Sequence, residues 1–228
     1  SFPTRRSSDL NKVMKKLIVY TDGAARGNPG PGGWGAVLAV KEQTNNAEGH
    51  VSEIGARLEN TTNNEAELTA AIESLRWARN NDISHIKLYT DSSYVIQGIT
   101  SWRHNWQKNG WQTQNDEPVK NKQLWQNLIA AQEGLEVDYE HVDGHAGIPA
   151  NERADNIATA FADNEQPDLF SGAVDDYDVL LDPTPQKLTN APVYLSLVDG
   201  VVRQHTDWSD CQQRVEGVDA QYRKVKTI

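Results

Sequence analysis

The sequence predicts an α/β fold: a mixed five-stranded sheet with helices on its faces, followed by a small C-terminal α+β domain. Three observations predict it. Three strand-like runs follow one another with no helix between them, which suits antiparallel hairpins. Strand-like and helix-like segments then alternate, which suits parallel crossovers. A Pro- and acid-rich stretch of little periodicity then separates this region from a strand–strand–helix–strand pattern at the end of the chain.

The first strand is the apolar run KLIVYT, residues 16–21, and the Gly- and Pro-rich GNPGPGG after it reads as a turn. Residues 34–40 form a second strand, and residues 50–58 alternate as a third. Thr62-Asn63-Asn64-Glu65 has the form of a capping box and opens a helix to about Ala78. Residues 86–90 are a fourth strand, with a short helix starting at Ser92. Residues 102–122 are polar, Trp-rich and irregular; 124–132 are helical; 135–142 are a fifth strand; 151–162 are a helix. The domains are thus expected at 14–163 and 191–228, joined by a linker at 164–190.

Residues 1–13 are expected to lie outside the fold. The first ten, SFPTRRSSDL, look like the translation of a short-read sequencing adapter, which leaves the native start at Met14 or lost. The chain has 228 residues, 37% of them hydrophobic, and no apolar run long enough to span a bilayer. Its single cysteine, Cys211, excludes an internal disulfide and fits a reducing cytoplasm. The net charge of −10 argues against broad electrostatic attraction to nucleic acid, although a local basic patch still docks phosphates.

Four acids stand out by their settings. Asp22 and Asp91 each end an apolar strand, whereas Glu67 and Asp155 each lie in the first turns of a helix. If the fold brings them together they repel, unless divalent cations neutralise them. Such clusters hold paired Mg²⁺ ions for phosphoryl transfer on nucleic acids.

The blocks TDGAARGNPGPGGWGAVL, TTNNEAELTAAIESL, YTDSSYVIQGITSW, WQKNGWQT, PVKNKQLWQ and VDGHAGIPANERAD occur in one order over about residues 15–163. They resemble bacterial type 1 ribonuclease H. The resemblance implies a ribonuclease H-like fold and an endoribonuclease that cuts the RNA strand of RNA–DNA hybrids, leaving 5′-phosphate and 3′-hydroxyl ends. It implies two Mg²⁺ ions, with Mn²⁺ as an alternative, on Asp22, Glu67, Asp91 and Asp155, and a proton-transfer or product-release role for His145 in GHAG. Asn28, Thr62, Asn63 and Asn64 match residues that contact the hybrid, and Trp102 and Trp106 lie in the family's basic handle, with local packing as the competing role for Trp106. This handle carries Arg103, Lys108, Lys120 and Lys122, but also Asp116 and Glu117.

The tail from Val193 resembles the hybrid-binding, viroplasmin-like domain of eukaryotic type 1 enzymes, with Tyr194, Trp208, Tyr222, Arg223 and Lys224 in register. Aromatics beside cations suit stacking on nucleotides and pairing with phosphates. The expected partner is therefore an RNA–DNA hybrid, with no membrane and no obligate protein partner, and the chain is expected to be a cytoplasmic monomer. The rivals are another enzyme of the same fold, such as a transposase or resolvase, and a non-catalytic hybrid binder.

Overall fold

The structure, a computed structural model, describes residues 15–42, 49–185, 193–198, 201–205, 208–218 and 220–225. The expected leader up to Val13 lies outside the described residues, as does the linker's end at 186–190. The chain divides into two compact units, residues 1–185 and 186–228.

In the first unit, β1 (Lys15–Ala25), β2 (Gly30–Glu42) and β3 (His50–Thr61) pair as an antiparallel meander, as expected of strands with short connections. β4 (His85–Thr90) and β5 (Glu136–His141) add in parallel beyond β1. Helix α1 (Asn63–Asn80) leads into β4. Its predicted capping box is present: Glu65 N–H donates to Thr62 Oγ1 at 3.3 Å, and Thr62 N–H donates to Glu65 Oε2 at 2.8 Å. The two bonds satisfy backbone donors that a helix start leaves open, worth ~1 kcal/mol.

The sheet has six strands, not five, in the order β5-β4-β1-β2-β3-β6. The extra strand β6 (Ser171–Ala173) pairs antiparallel with β3 and comes from the segment read as a linker. Its three residues are too few to show a period of two, so no local pattern announced it.

Two apolar layers flank the sheet. One packs Leu17, Val19 and Leu38 with Leu68 and Leu75 of α1 and with Trp125 and Leu128 of α4 (Lys122–Gln132). The other packs Tyr20, Val37, Val51 and Tyr89 against Ile157 of α5 (Pro149–Ala162), with side chains of residues 169–181 alongside. Close approach needs glycine at two points. A Cβ on Gly23 would lie 2.3 Å from Glu67 N, and one on Gly35 would lie 2.4 Å from Ala154 O. Each glycine sets a helix directly on the sheet, beside a residue that carries one of the candidate acids.

The Trp-rich segment is more ordered than its sequence predicts. α2 (Ser93–Gln97) runs through a π-helical turn (Gly98–Trp102) into α3 (Arg103–Lys108). Trp106 packs at 5.3 Å from Trp125 and 5.6 Å from Trp102, centroid to centroid. These aromatics form a local core that supplies the order.

The second unit has the strand–strand–helix–strand pattern expected of it. β7 (Val193–Val198) lies between β8 (Val201–His205) and β9 (Ala220–Val225), all antiparallel, with α6 (Trp208–Val215) packed on β7. Cys211 is fully buried. A polar chain also ties the helix to the strands. Arg214 Nη1 donates to Ser196 Oγ at 2.7 Å, Ser196 Oγ lies 2.7 Å from His205 Nε2, and His205 Nδ1 lies 2.7 Å from Asp210 Oδ2. Ser196 and His205 are buried, so these partners answer the desolvation cost of their polar atoms.

Candidate active site

The register of the parallel pair brings the first two acids together. Thr21 is opposite Thr90, so Asp22 and Asp91 lie side by side, Asp91 just past the C-terminal end of β4 and Asp22 within β1, which runs on to Ala25. Sites in open α/β sheets form at that edge. Gly23 lets α1 close on β1, which sets Glu67 next to this pair. α5 contributes Asp155, whose charge is felt by Asp22.

The electrostatics mark the four as one cluster. Asp22, only 9% exposed, has its pKa pushed up to about 8, first by burial and then by the charges of Asp91, Asp155 and Glu67, against the hydrogen bond from Gly23 N–H at 2.6 Å. Glu67 is pushed up to about 7 by burial and the Asp91 charge, against the hydrogen bond donated by Ser92 Oγ. Asp91 Oδ2 is 3.5 Å from Asn151 Nδ2, and Asp155 Oδ1 is 3.4 Å from Thr159 Oγ1. Arg26, which feels the Asp155 charge, is itself paired with Asp163 at 2.5 Å.

Each carboxylate is thus turned toward a donor of the protein, and among the described residues no three His, Cys, Asp or Glu side chains form a ready-made metal cage. The donor set nevertheless fits a divalent cation. Its oxygens are hard ligands of the kind that Mg²⁺ and Mn²⁺ take, and an added positive charge would favour the ionised carboxylates that burial and mutual repulsion disfavour. Asn151 Oδ1 is buried with no hydrogen-bond partner, an acceptor left over beside Asp91.

His145 lies in the loop between β5 and α5, exposed and at φ +54°. That loop passes against the cluster, since a Cβ on Gly144 would lie 2.8 Å from Asp91 Oδ2.

Residues 14–163 match the family model described as RNase H. The chain belongs to the RNase H family. Among its relatives, the Ribonuclease H of Alcanivorax borkumensis is 49% identical over 145 residues, covering 64% of this chain and 90% of that protein. The Ribonuclease H of Cronobacter sakazakii is 49% identical over 150 residues, covering 66% and 89%. Among solved structures, LC9-RNase H1, described as a type 1 RNase H with the type 2 active-site motif, superposes with a TM-score of 0.63 at 27% identity, over 71% of this chain and 80% of that one. The first unit is therefore an RNase H domain, a hydrolase of RNA–DNA hybrids, and enzymes of this family use divalent metal ions.

Around the acids of the RNase H domain, the residues expected to meet substrate divide into two groups. Asn28 is exposed in the β1–β2 turn, and Asn64 is exposed at the start of α1. Asn63 Oδ1 accepts from Ala25 N–H at 2.8 Å, which fastens the end of β1 to the start of α1. Thr62 is engaged as the cap. Trp102 is half-buried, and Trp106 sits within the aromatic core of the handle. The packing role weighed for Trp106 is thus the one its surroundings support.

Two residues beside the acids were not singled out from the sequence. Ser92 holds Glu67 and also caps α2, its Oγ accepting from Val95 N–H at 3.2 Å. Asn151 lies four residues before Asp155, so both fall on one helix face, and that spacing was the available signal.

Proposed function

We propose that this protein is an endoribonuclease that cleaves the RNA strand of RNA–DNA hybrids to give 5′-phosphate and 3′-hydroxyl ends. Asp22, Glu67, Asp91 and Asp155 would hold two Mg²⁺ ions, with Mn²⁺ as the alternative. The observation that carries this is the side-by-side emergence of Asp22 and Asp91, with Glu67 and Asp155 close enough to raise the Asp22 pKa. When bound, the ions supply an activated water and charge stabilisation for the leaving oxygen. The chain's own part is to hold the four carboxylates: Gly23 N–H and Ser92 orient Asp22 and Glu67, and α5 carries Asp155. Asn28, Thr62, Asn63, Asn64 and Trp102 would meet the hybrid. An amide both donates and accepts, so it reads base edges and the 2′-hydroxyl that distinguishes RNA from DNA. A labelled hybrid should be cut with Mg²⁺ and spared with EDTA, while duplex RNA and duplex DNA are spared throughout. Cleavage of all three would sink the hybrid reading.

His145 would move a proton or help product leave. Its position on an exposed loop against Asp91 suits a transient contact better than a fixed ligand. His145→Ala is expected to lower turnover by roughly ten- to a thousandfold without weakening metal binding, a bracket set around general acid–base effects. A wild-type rate across the pH profile would remove His145 from the mechanism.

We assign the second unit as a hybrid-binding domain. Trp208 stands 5.2 Å from both Tyr194 and Tyr222, and Trp208 and Tyr222 are 37% and 60% exposed. That is an exposed aromatic surface of the kind nucleotides stack on. Arg223 is exposed on the opposite face of β9 from Tyr222, and the Lys224 side chain lies outside the described residues. Trp208→Ala should weaken binding to long hybrids and leave short ones unaffected, because two linked weak sites act together only on a substrate that reaches both. Equal affinities of variant and wild type on long hybrids would count against the assignment. We read the protein as a cytoplasmic monomer, which sedimentation in dilute buffer tests for the oligomeric state. No helix among the described residues is long and apolar enough to cross a membrane.

A further inference from the structure

The family match ends at Asp163, but the chain stays on the first unit to Pro185. Residues 164–185 run back across the sheet face that α5 leaves open, packing Leu169, Phe170, Val174, Tyr177, Val179 and Leu181 against it. This strap supplies β6 and also reaches a buried carboxylate on β3. Glu53 has a side chain only 1% exposed. It accepts from Arg153 Nε at 2.8 Å and Arg153 Nη2 at 2.7 Å, from Phe170 N–H at 2.9 Å and from Tyr177 Oη at 2.7 Å. Arg153 also donates to Asp168 O at 2.7 Å. At its far end, Leu181 O accepts from Tyr20 Oη at 2.9 Å, and the Tyr20 ring stacks on Tyr89 at 4.9 Å.

The places the strap touches are not scattered. Arg153, Tyr20 and Tyr89 stand two residues before Asp155, Asp22 and Asp91 respectively. On a strand, residues two apart share a face, so Tyr20 and Tyr89 lie directly below the two strand acids. On α5, the planar Arg153 fork fixes the helix against β3 just before Asp155. A buried ion pair is weak evidence for stability, because desolvation offsets the attraction. It is better evidence for orientation, since a bidentate pair with two further donors has one geometry.

We propose that residues 164–185 are a positioning brace for the acid cluster, in which Tyr177 and Glu53 set α5, and with it Asp155, while the Leu181–Tyr20 bond sets β1 and Asp22. This rests on the assignment of the four acids as metal-holding. Reactive groups displaced by about 1 Å lose much of their effect, so a brace of this kind acts on metal affinity and turnover rather than on hybrid affinity.

The test uses the full chain with two variants that each delete one hydroxyl, Tyr177→Phe and Tyr20→Phe, and a packing control outside the strap, Ile83→Val, in the apolar layer on the other face of the sheet. Mn²⁺ binding is measured by calorimetry, hybrid cleavage as kcat and KM, and stability as Tm. Tyr177→Phe and Tyr20→Phe should each weaken Mn²⁺ binding by about 3- to 10-fold, less than the loss typical of a partner bonded directly to a ligand. kcat at fixed Mn²⁺ should fall in step, with KM for the hybrid unchanged. Ile83→Val should lower Tm alone. Wild-type Mn²⁺ affinity and kcat in both hydroxyl variants would overturn the brace, leaving the strap as packing. A wild-type protein that binds Mn²⁺ but cuts no hybrid would sink the nuclease assignment, while the calorimetry still decides the brace. A wild-type protein that binds no Mn²⁺ would overturn the metal-holding assignment and the brace together.

Discussion

Asp22→Asn is expected to abolish nearly all hybrid cleavage and, in the same protein, to raise the metal-free melting temperature. The two effects have one cause. Burial first, and then the charges of Asp91, Asp155 and Glu67, push the Asp22 pKa up to about 8. A divalent cation needs the Asp22 charge, and Asn, though close in shape, does not supply it. Without a cation the charge only repels. Because the folded pKa is raised above that of the unfolded chain, the native state holds the Asp22 proton more tightly. Stability is then fully present below the unfolded carboxylate range and is lost as pH rises toward about 8. Glu67, pushed up to about 7, acts in the same direction. The gain in Tm of Asp22→Asn over wild type should therefore be near zero at pH 4 and largest at pH 8 to 9, by about 2–4 °C for each kcal/mol recovered. Added Mg²⁺ should reverse the order, stabilising wild type more than the variant. Thermal unfolding in EDTA and in Mg²⁺ across this pH range, alongside cleavage rates, checks both halves. Near wild-type cleavage by Asp22→Asn would remove Asp22 from the site.

Cutting the chain after Asp163 is expected to damage the RNase H domain, whereas cutting after Pro185 should leave it folded and active. The family match would place the boundary at Asp163, and the packing places it at Pro185. The shorter protein loses β6 and the six apolar side chains of the strap, each worth a fraction of the roughly 1.5–3 kcal/mol of a fully buried residue. It also strips Tyr177 and Phe170 N–H from Glu53. Burial alone would raise the Glu53 pKa, but the bonds from Arg153, Phe170 and Tyr177 outweigh it and hold the carboxyl below its ordinary value. With two of those donors gone, Arg153 is the one side chain among the described residues still bonded to Glu53, and the face beneath the strap is opened to water. A fall in Tm of about 10 °C or more is expected for the shorter protein. The longer protein, ending at Pro185, should keep its turnover and lose affinity chiefly for long hybrids, with a flatter salt dependence by about one unit of slope for each phosphate contact removed. Equal melting temperatures for the two truncated proteins would show that the strap contributes nothing to the domain.

The fold class, the succession of strands β1 to β5 along the chain, the capping box at Thr62 and Glu65, and the four acids proposed for the site were legible in the sequence. Each depends on neighbours a few residues apart or on a block of ordered motifs. Residues 164–190, by contrast, read as a linker because prolines and acids hide any period. Their order as far as Pro185 comes from an open edge of β3 and an uncovered apolar face, which no local pattern reports. Glu53 is an ordinary strand acid by sequence, and Arg153, one hundred residues away, makes it a buried one. Trp106 belongs to a mini-core because Trp125 comes to within 5.3 Å of it. The sequence by itself therefore determined which elements form and on which of them the four acids proposed for the site ride, because periodicity and capping are local. Only the tertiary structure decided where the domain ends and what stands behind its acids, because those contacts join residues about 100 to 160 positions apart, and burial and pairing at that range exist only once the chain has folded.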